Sequence, residues 1–358
     1  MRHQGSRPAR APRRMPALLM ARAPSLLYAS AFNRRFEGQS SAIMRAPPAL
    51  RSPISTERIF GDRAARFRHL TFPRLGARIE QIAPPWFLIG AWVDDEPAGL
   101  MMAGPGVTAA DMLLKSVSVA PSFRRRGIGR HLLQELETEA RARKVSRIAA
   151  RFVPTMKLAE AFVSLTSHLK WERPSTVSLN LTGEAGLMAQ SGGEWPGVKT
   201  WLSDPGEFTF EPWRPLTVAD EEAMARLRAQ SAFRSYLEFT GFAAAIDPAC
   251  SLHIRRSGAL LGWIAATPFQ GAMVARYGNR IGRHYRSAYV DESLWRSAAL
   301  IAGYYHAFSR QGETYGNDSI ATYFTDFPGQ MALTRRRFAS MALSMEEIRE
   351  VAKTLQPG

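Results

Sequence analysis

At 358 residues with 46% hydrophobic side chains, the chain is long enough for two ordinary domains and too apolar to be disordered throughout. Its single cysteine, Cys250, excludes an intramolecular disulfide and a cysteine-built metal site, and no run of 18 apolar residues offers a membrane-spanning helix. The formal net charge is +16, but nine arginines against the single acid Glu37 put +8 of it in residues 1–45. The body keeps an equal excess, which suits an anionic ligand, loose nucleic-acid contact or solubility alike.

Residues 1–39 are rich in Arg, Ala and Pro and read as a disordered basic leader. The single cysteine fits a reducing compartment, so a cytoplasmic protein is expected; organelle targeting by the Arg-rich leader is the alternative. Secretion fits poorly, because Arg22 and two prolines interrupt the apolar run "MPALLMARAPSLLY".

Residues 40–183 read as a first domain. "SSAIMRA" has the pattern of a short strand, and "STERIFGDRAARFRHLTF" spaces Ile59, Phe60, Phe67 and Leu70 as a helix would. "WFLIGAWVDDEPAGLMMAGPG" sets two apolar runs around Asp94, Asp95 and Glu96, a hairpin, and "MLLKSVSV" follows as a third strand. An Arg/Gly loop, a helix over 128–143, the strand "RIAARFV", a second helix to Leu169 and the strand "TVSLNL" complete it.

Residues 184–206 hold glycines and prolines without a sustained period and read as a linker. Over 207–345 the same order returns in blurred form: a capped helix in "TVADEEAMARLRAQSAF", a hairpin turning at Ser257 and Gly258, the strand "HYRSAYV", the helix "DESLWRSAALIAGYYHAFSRQ", the strand "SIATYFTDF" and the short helix "PGQMALTRRRF" ending before a last strand. Residues 346–358 read as a C-terminal helix or tail.

The chemistry concentrates at "KSVSVAPSFRRRGIGRHLL", residues 115–133. Val117 and Val119 face one side of a strand, Ser116 and Ser118 the other, and Pro121 ends it. Arg124, Arg125, Arg126, Gly127, Ile128, Gly129 and Arg130 then lead straight into a helix marked by Leu132, Leu133, Leu136 and Ala140. Unsatisfied amides and the positive dipole end at a helix N-terminus form a site for phosphate. Two glycines let the backbone approach it, and the arginines add charge-assisted hydrogen bonds. The spacing is neither Gly-Lys-Ser/Thr nor G-x-G-x-x-G, so nucleoside-triphosphate and dinucleotide loops are set aside.

R-x-x-G-x-G after a strand ending in "SVAP", with a hairpin before it and a strand and helix after it, resembles the acyl-CoA motif of the GNAT acyltransferase superfamily. The resemblance covers residues 40–183 and extends faintly over 207–345. It implies an α/β (α+β) fold of two GNAT-like domains, each a mixed, mostly antiparallel sheet flanked by helices. It also implies acetyl-CoA or another acyl-CoA as donor and no metal. Main-chain groups at Val117, Ser118 and Val119 would pair with the pantetheine arm, and the segment Arg124 to Arg130 would hold the pyrophosphate. An amide near Val117 would stabilise the oxyanion during transfer to a small-molecule or peptide amine.

Such a transfer profits from a base and an acid. Asp111, just before the strand, is the candidate base, and Ser116 a hydrogen-bonding group. The family's tyrosine position falls on Thr166, five residues before Trp171, and threonine is a poor acid; Ser164 and His168 lie nearby. In the second half the equivalent loop carries Asp291 and Glu292 and lacks a glycine pair, so a degenerate second copy is expected. The aromatics there, Tyr236, Trp263, Tyr304, Tyr305 and Tyr323, read as core. The leading expectation is an acyl-CoA-dependent N-acetyltransferase; the alternative is a non-catalytic acyl-CoA-binding or regulatory protein. No specific nucleic acid and no membrane is expected as partner, since no helix-turn-helix or RNA-binding signature accompanies the charge.

Overall fold

The computed structural model describes residues 53–106, 108–269, 276–278 and 280–356. The basic leader and the strand expected at "SSAIMRA" lie outside these residues. The first half runs β1 (Ser55–Ile59), α1 (Gly61–Ala65), α2 (Pro73–Gly76), β2 (Phe87–Val93), β3 (Glu96–Pro105), β4 (Asp111–Val119), α3 (Ile128–Ala142), β5 (Arg147–Phe152), α4 (Ala159–His168) and β6 (Ser175–Glu184). Two helices follow, α5 (Ala185–Gly193) and α6 (Pro196–Ser203). The second half then runs β7 (Phe208–Pro212), α7 (Val218–Arg228), β8 (Leu252–Arg256), β9 (Ala259–Pro268), β10 (Gly282–Val290), α8 (Ala299–Tyr315), β11 (Ile320–Thr325), α9 (Pro328–Phe338) and β12 (Ser344–Thr354).

Local chemistry explains most of these elements. Asp94 and Asp95 adopt positive φ at the first hairpin turn, as Ser257 and Gly258 do at the second. Thr217 caps α7 in a reciprocal pair with Asp220. Along α3, Ile128, Leu132, Leu133, Leu136 and Ala140 are all buried, the stripe its spacing predicts.

All twelve strands form one sheet in the order β1-β2-β3-β4-β5-β12-β6-β11-β10-β9-β8-β7. Only β4 with β5 and β10 with β11 are parallel. The two halves exchange their last strands: β12 enters between β5 and β6, and β6 pairs β11 on its other edge. One continuous sheet therefore replaces the two separate sheets expected. On one face α3 and α4 cover the first half, and on the same strands' opposite face Phe67, Leu70 and Ile79 pack against Leu88, Leu100 and Met102.

Three readings are corrected. "STERI", expected to begin a helix, is β1, because Thr56 and Ile59 lie on the fully buried strand β2, with Ile59 opposite Leu88. Residues 184–206 hold α5 and α6 instead of a bare linker, since Ala185, Met188, Trp195 and Val198 are buried in the second core. Residues 346–358 contribute a central strand, where pairing on both edges outweighs the helix-forming composition of "MEEIREVAK".

Candidate functional site

The strand β4 pairs β5 only from Asp111 opposite Arg147 to Leu114 opposite Ala150. From Lys115 onward the two strands part, although β4 stays paired with β3 as far as Val119. The divergence coincides with a bulge: Met102 stands opposite Ser116 and Ala103 opposite Leu114, which leaves Lys115 as the extra residue. The β5-facing edge of Lys115–Val119 thus leaves alternate amides and carbonyls open to a ligand. Val117 and Val119 pack toward the α3 core, while Ser116 and Ser118 stand opposite Met102 and Leu100 of the other face, as their alternation predicts.

Beyond β4, Pro121–Phe123 form a single tight turn, and Arg124 turns back so that its Nε donates to the Val119 carbonyl at 3.1 Å. Arg125 and Gly127 both take positive φ, +61° and +85°. Gly127 is the N-cap of α3, and its carbonyl accepts the first intrahelical bond, from the His131 amide. The amides of Ile128, Gly129 and Arg130 precede that bond and so have no acceptor within the helix. A Cβ on Gly129 would stand 3.2 Å from Leu165 of α4, so this glycine also lets α3 and α4 approach. Arg126 lies over the Phe123 ring at 5.6 Å, and its Nε is buried without a hydrogen-bond partner. The loop therefore presents an N-terminal amide cluster flanked by guanidinium groups, beside the mouth of the β4–β5 split.

The proposed acid–base residues do not converge there. Asp111 begins β4, about 13 Å along the strand from Lys115, and its carboxylate accepts from the Thr108 amide at 3.1 Å in a local turn. Thr166 is 1% exposed, and its hydroxyl donates back to the carbonyls of Phe162 and Val163. Ser116 lines the split, whereas His168 Nδ1 lies 2.7 Å from the Ser164 carbonyl on an exposed helix end. Glu137 is 6% exposed and accepts from both Trp171 and Lys353, which pins β12 to α3. The pairs Glu137–Arg141 and Glu139–Arg143 are nonetheless formed.

Lys115, Arg151 and Glu350 were not singled out in the sequence, although a lysine inside the apolar strand "MLLKSVSV" was a visible signal. Arg151 alternates with Ala150 and Phe152, which belong to the core under α3 and α4, so it projects from the opposite face. There Arg147 and Arg151 both reach the single carboxylate of Glu350, Arg151 at 2.8 Å. Burial, reinforced by the charge of Arg151, pushes the Lys115 amine down to about 8.

The second half repeats the architecture but fills it. Four residue pairs join β10 to β11, from Gly282 opposite Ile320 to Tyr285 opposite Tyr323, before those strands part, again at a bulge, here Arg286. Arg286 lies over Phe242 at 4.3 Å. The acids of its loop are held internally: Asp291 accepts from Gln230 and Ser293, and Glu292 from Ser231 and the Ala232 amide. The first amide of α8 is taken by the Ser297 hydroxyl. Over the helices, Trp195 meets Phe338 of α9 at 5.5 Å, and Gly193 sits so close to Tyr305 of α8 that a Cβ would stand 2.8 Å from its ring. Tyr304 and Tyr323 are buried as expected, while Tyr236 hydrogen-bonds Asp326. Among the described residues no group of three or more His, Cys, Asp or Glu is placed to hold a metal, and no helix is long and apolar enough to cross a membrane.

Residues 57–162 match the model described as "Acetyltransferase (GNAT) family". No curated protein matches the chain. A tandem GNAT protein from the clavulanic acid biosynthesis pathway, determined without AcCoA, superposes with a TM-score of 0.52 at 13% identity, over 86% of this chain and 100% of that one. A glucosamine N-acetyltransferase region of a fungal multi-domain β-N-acetylglucosaminidase gives 0.57 at 11%, over 84% of this chain and 38% of the other. A probable N-acyltransferase from Enterococcus faecalis gives 0.51 at 12%, over 86% and 73%. Residues 57–162 thus match the acetyltransferase (GNAT) family, and the chain as a whole shares the fold of a tandem GNAT protein.

Proposed function

We propose that the protein transfers an acyl group, most simply acetyl, from acyl-CoA to an amine, with the donor held by the first half alone. The observation that carries this reading is the combination of an open β4–β5 split with an amide-rich, arginine-flanked helix start at its mouth. The pyrophosphate would rest on the amides of Ile128, Gly129 and Arg130, with Arg125, Arg126 and Arg130 adding charge. Arg124 would contribute chiefly by fixing the loop through Val119. The pantetheine arm would continue along the unpaired edge from Val119 toward Val117, bringing the thioester to the apex near Lys115. Attack of a neutral amine on the thioester carbonyl gives a tetrahedral oxyanion, which an edge amide near Val117 is placed to stabilise. The nitrogen gives up a proton to solvent, collapse breaks the C–S bond and expels the thiolate, which takes up a proton, and the product amide forms.

A second reading, a non-catalytic acyl-CoA-binding protein, draws on the distance of Asp111 from the apex and the internal commitment of Thr166. Titration calorimetry with acetyl-CoA and continuous detection of free thiol over a panel of amines separate the two. Binding with turnover supports the enzyme; binding without turnover on any amine supports the second reading; absence of binding overturns both.

A further inference from the structure

We infer that the acceptor is an amine bearing an anionic group, a carboxylate or a phosphate, which is gripped by Lys115 and Arg151 at the apex of the β4–β5 split. This rests on the acyl-transfer reading and assigns the class of its second substrate.

Three features of the geometry lead there. Lys115 occupies the bulge where β4 leaves β5, so its stem springs from the point the thioester would reach. Arg151 follows Ala150, the last β5 residue paired with β4, and projects from the face opposite α3 and α4. Donor bound between those helices would leave that face for the acceptor. Across the row, Glu350 from β12 is shared by Arg147 and Arg151, while Asp111 and Glu172 also act on Arg147. Arg151 therefore shares its carboxylate with Arg147, and Lys115 adds a further cation at the bulge.

Burial and, after it, the like charge of Arg151 lower the affinity of Lys115 for its proton. An anion placed between them would reverse that penalty, and the amine of the same molecule would then lie within reach of the thioester. The pseudo-equivalent bulge provides a contrast: there Arg286 is capped by Phe242 at 4.3 Å, and burial alone holds its guanidinium below the usual range.

The test uses the full-length protein with acetyl-CoA and matched amine pairs, glycine against glycinamide and phosphoethanolamine against ethanolamine. We expect at least one anionic member to exceed its partner by 10-fold or more in kcat/KM. Lys115→Met and Arg151→Met should bring that ratio close to one mainly through KM, while Lys115→Arg retains it. Preference for the neutral members, or a ratio unmoved by Lys115→Met, overturns the inference. Preference within only one pair identifies carboxylate or phosphate. If CoA binds but no amine is acylated, the catalytic reading fails by itself. The anion site is then judged by acetate and phosphate added to the CoA complex: a rise in unfolding midpoint in the wild type that is absent in Lys115→Met sustains it, and equal response overturns it.

Discussion

At Gly127 a single missing Cβ decides what the loop can do. Its φ of +85° is one that L residues rarely adopt, yet a Cβ there would meet nothing within 4 Å. Gly127→Glu should therefore cost only about 1–2 kcal/mol of stability, while placing a carboxylate where the pyrophosphate belongs. Calorimetry should show acetyl-CoA binding lost with near-native circular dichroism, and unchanged affinity would sink the loop assignment. Lys115 offers the opposite test, a residue whose removal stabilises. Its folded-state pKa of about 8 lies below the unfolded value of 10.5. Below pH 8 both states hold the proton, so the full burial penalty is present; between about 8 and 10.5 only the unfolded chain holds it, so stability rises with pH. Lys115→Met should raise stability at pH 7 by on the order of 1–2 kcal/mol, discounted for partial exposure, and the gain should fade by pH 10.5. Denaturant titrations at the two pH values check this, and an equal gain at both would refute it. A stabilising substitution that damages turnover is the mark of a residue retained for function.

Among the elements, β4, its loop and α3 were legible because their signals are local: alternation, a proline stop, paired glycines and a helical stripe within some thirty residues. Both hairpins and the capped α7 were legible for the same reason. What escaped depends on contacts distant in sequence. Gly192 and Gly193 look like linker glycines, but they end a helix that lies against Tyr305, and a Cβ on Gly193 would stand 2.8 Å from its ring. The composition of β12 favours a helix, and only β5 and β6, some 170–200 residues earlier, show why it is a strand. The candidate site followed the same division, since the loop leading into α3 could be read from sequence, whereas the row from Lys115 through Arg151 to Glu350 required the exchanged strand. From that exchange comes an element-scale prediction. Truncation after Phe338 removes β12 from the middle of the sheet, leaving one edge of β5 and one of β6 bare and Lys353 absent from Glu137. The first half should then lose its protease resistance together with the second; a truncated chain that keeps a resistant fragment over residues 53–184 would show that the exchange is dispensable.

For the whole molecule, the asymmetry between two similar halves follows from where the chain continues. After β6 it goes on into α5 and α6, which lie on α8 and α9 and seat Trp195 against Phe338. Among the described residues no helix plays the same part over α3 and α4 of the first half. The second half is thus occupied twice: by α5 and α6 across its helices, and by Gln230, Ser231 and Ala232 against the acids of its loop. Calorimetry should accordingly count one acetyl-CoA per chain. Reversing charge with Asp291→Arg and Glu292→Arg should leave that count at one, because the arginines would neither clear Trp195 nor free the α8 amide held by Ser297. The same double variant should lower the unfolding midpoint, since it removes the anchors of the 230–232 segment. If instead it bound a second donor, charge alone would have silenced the second half. If the natural protein bound two, the packing of α5 and α6 would have to yield to a ligand, and the assignment of donor binding to the first half would fall.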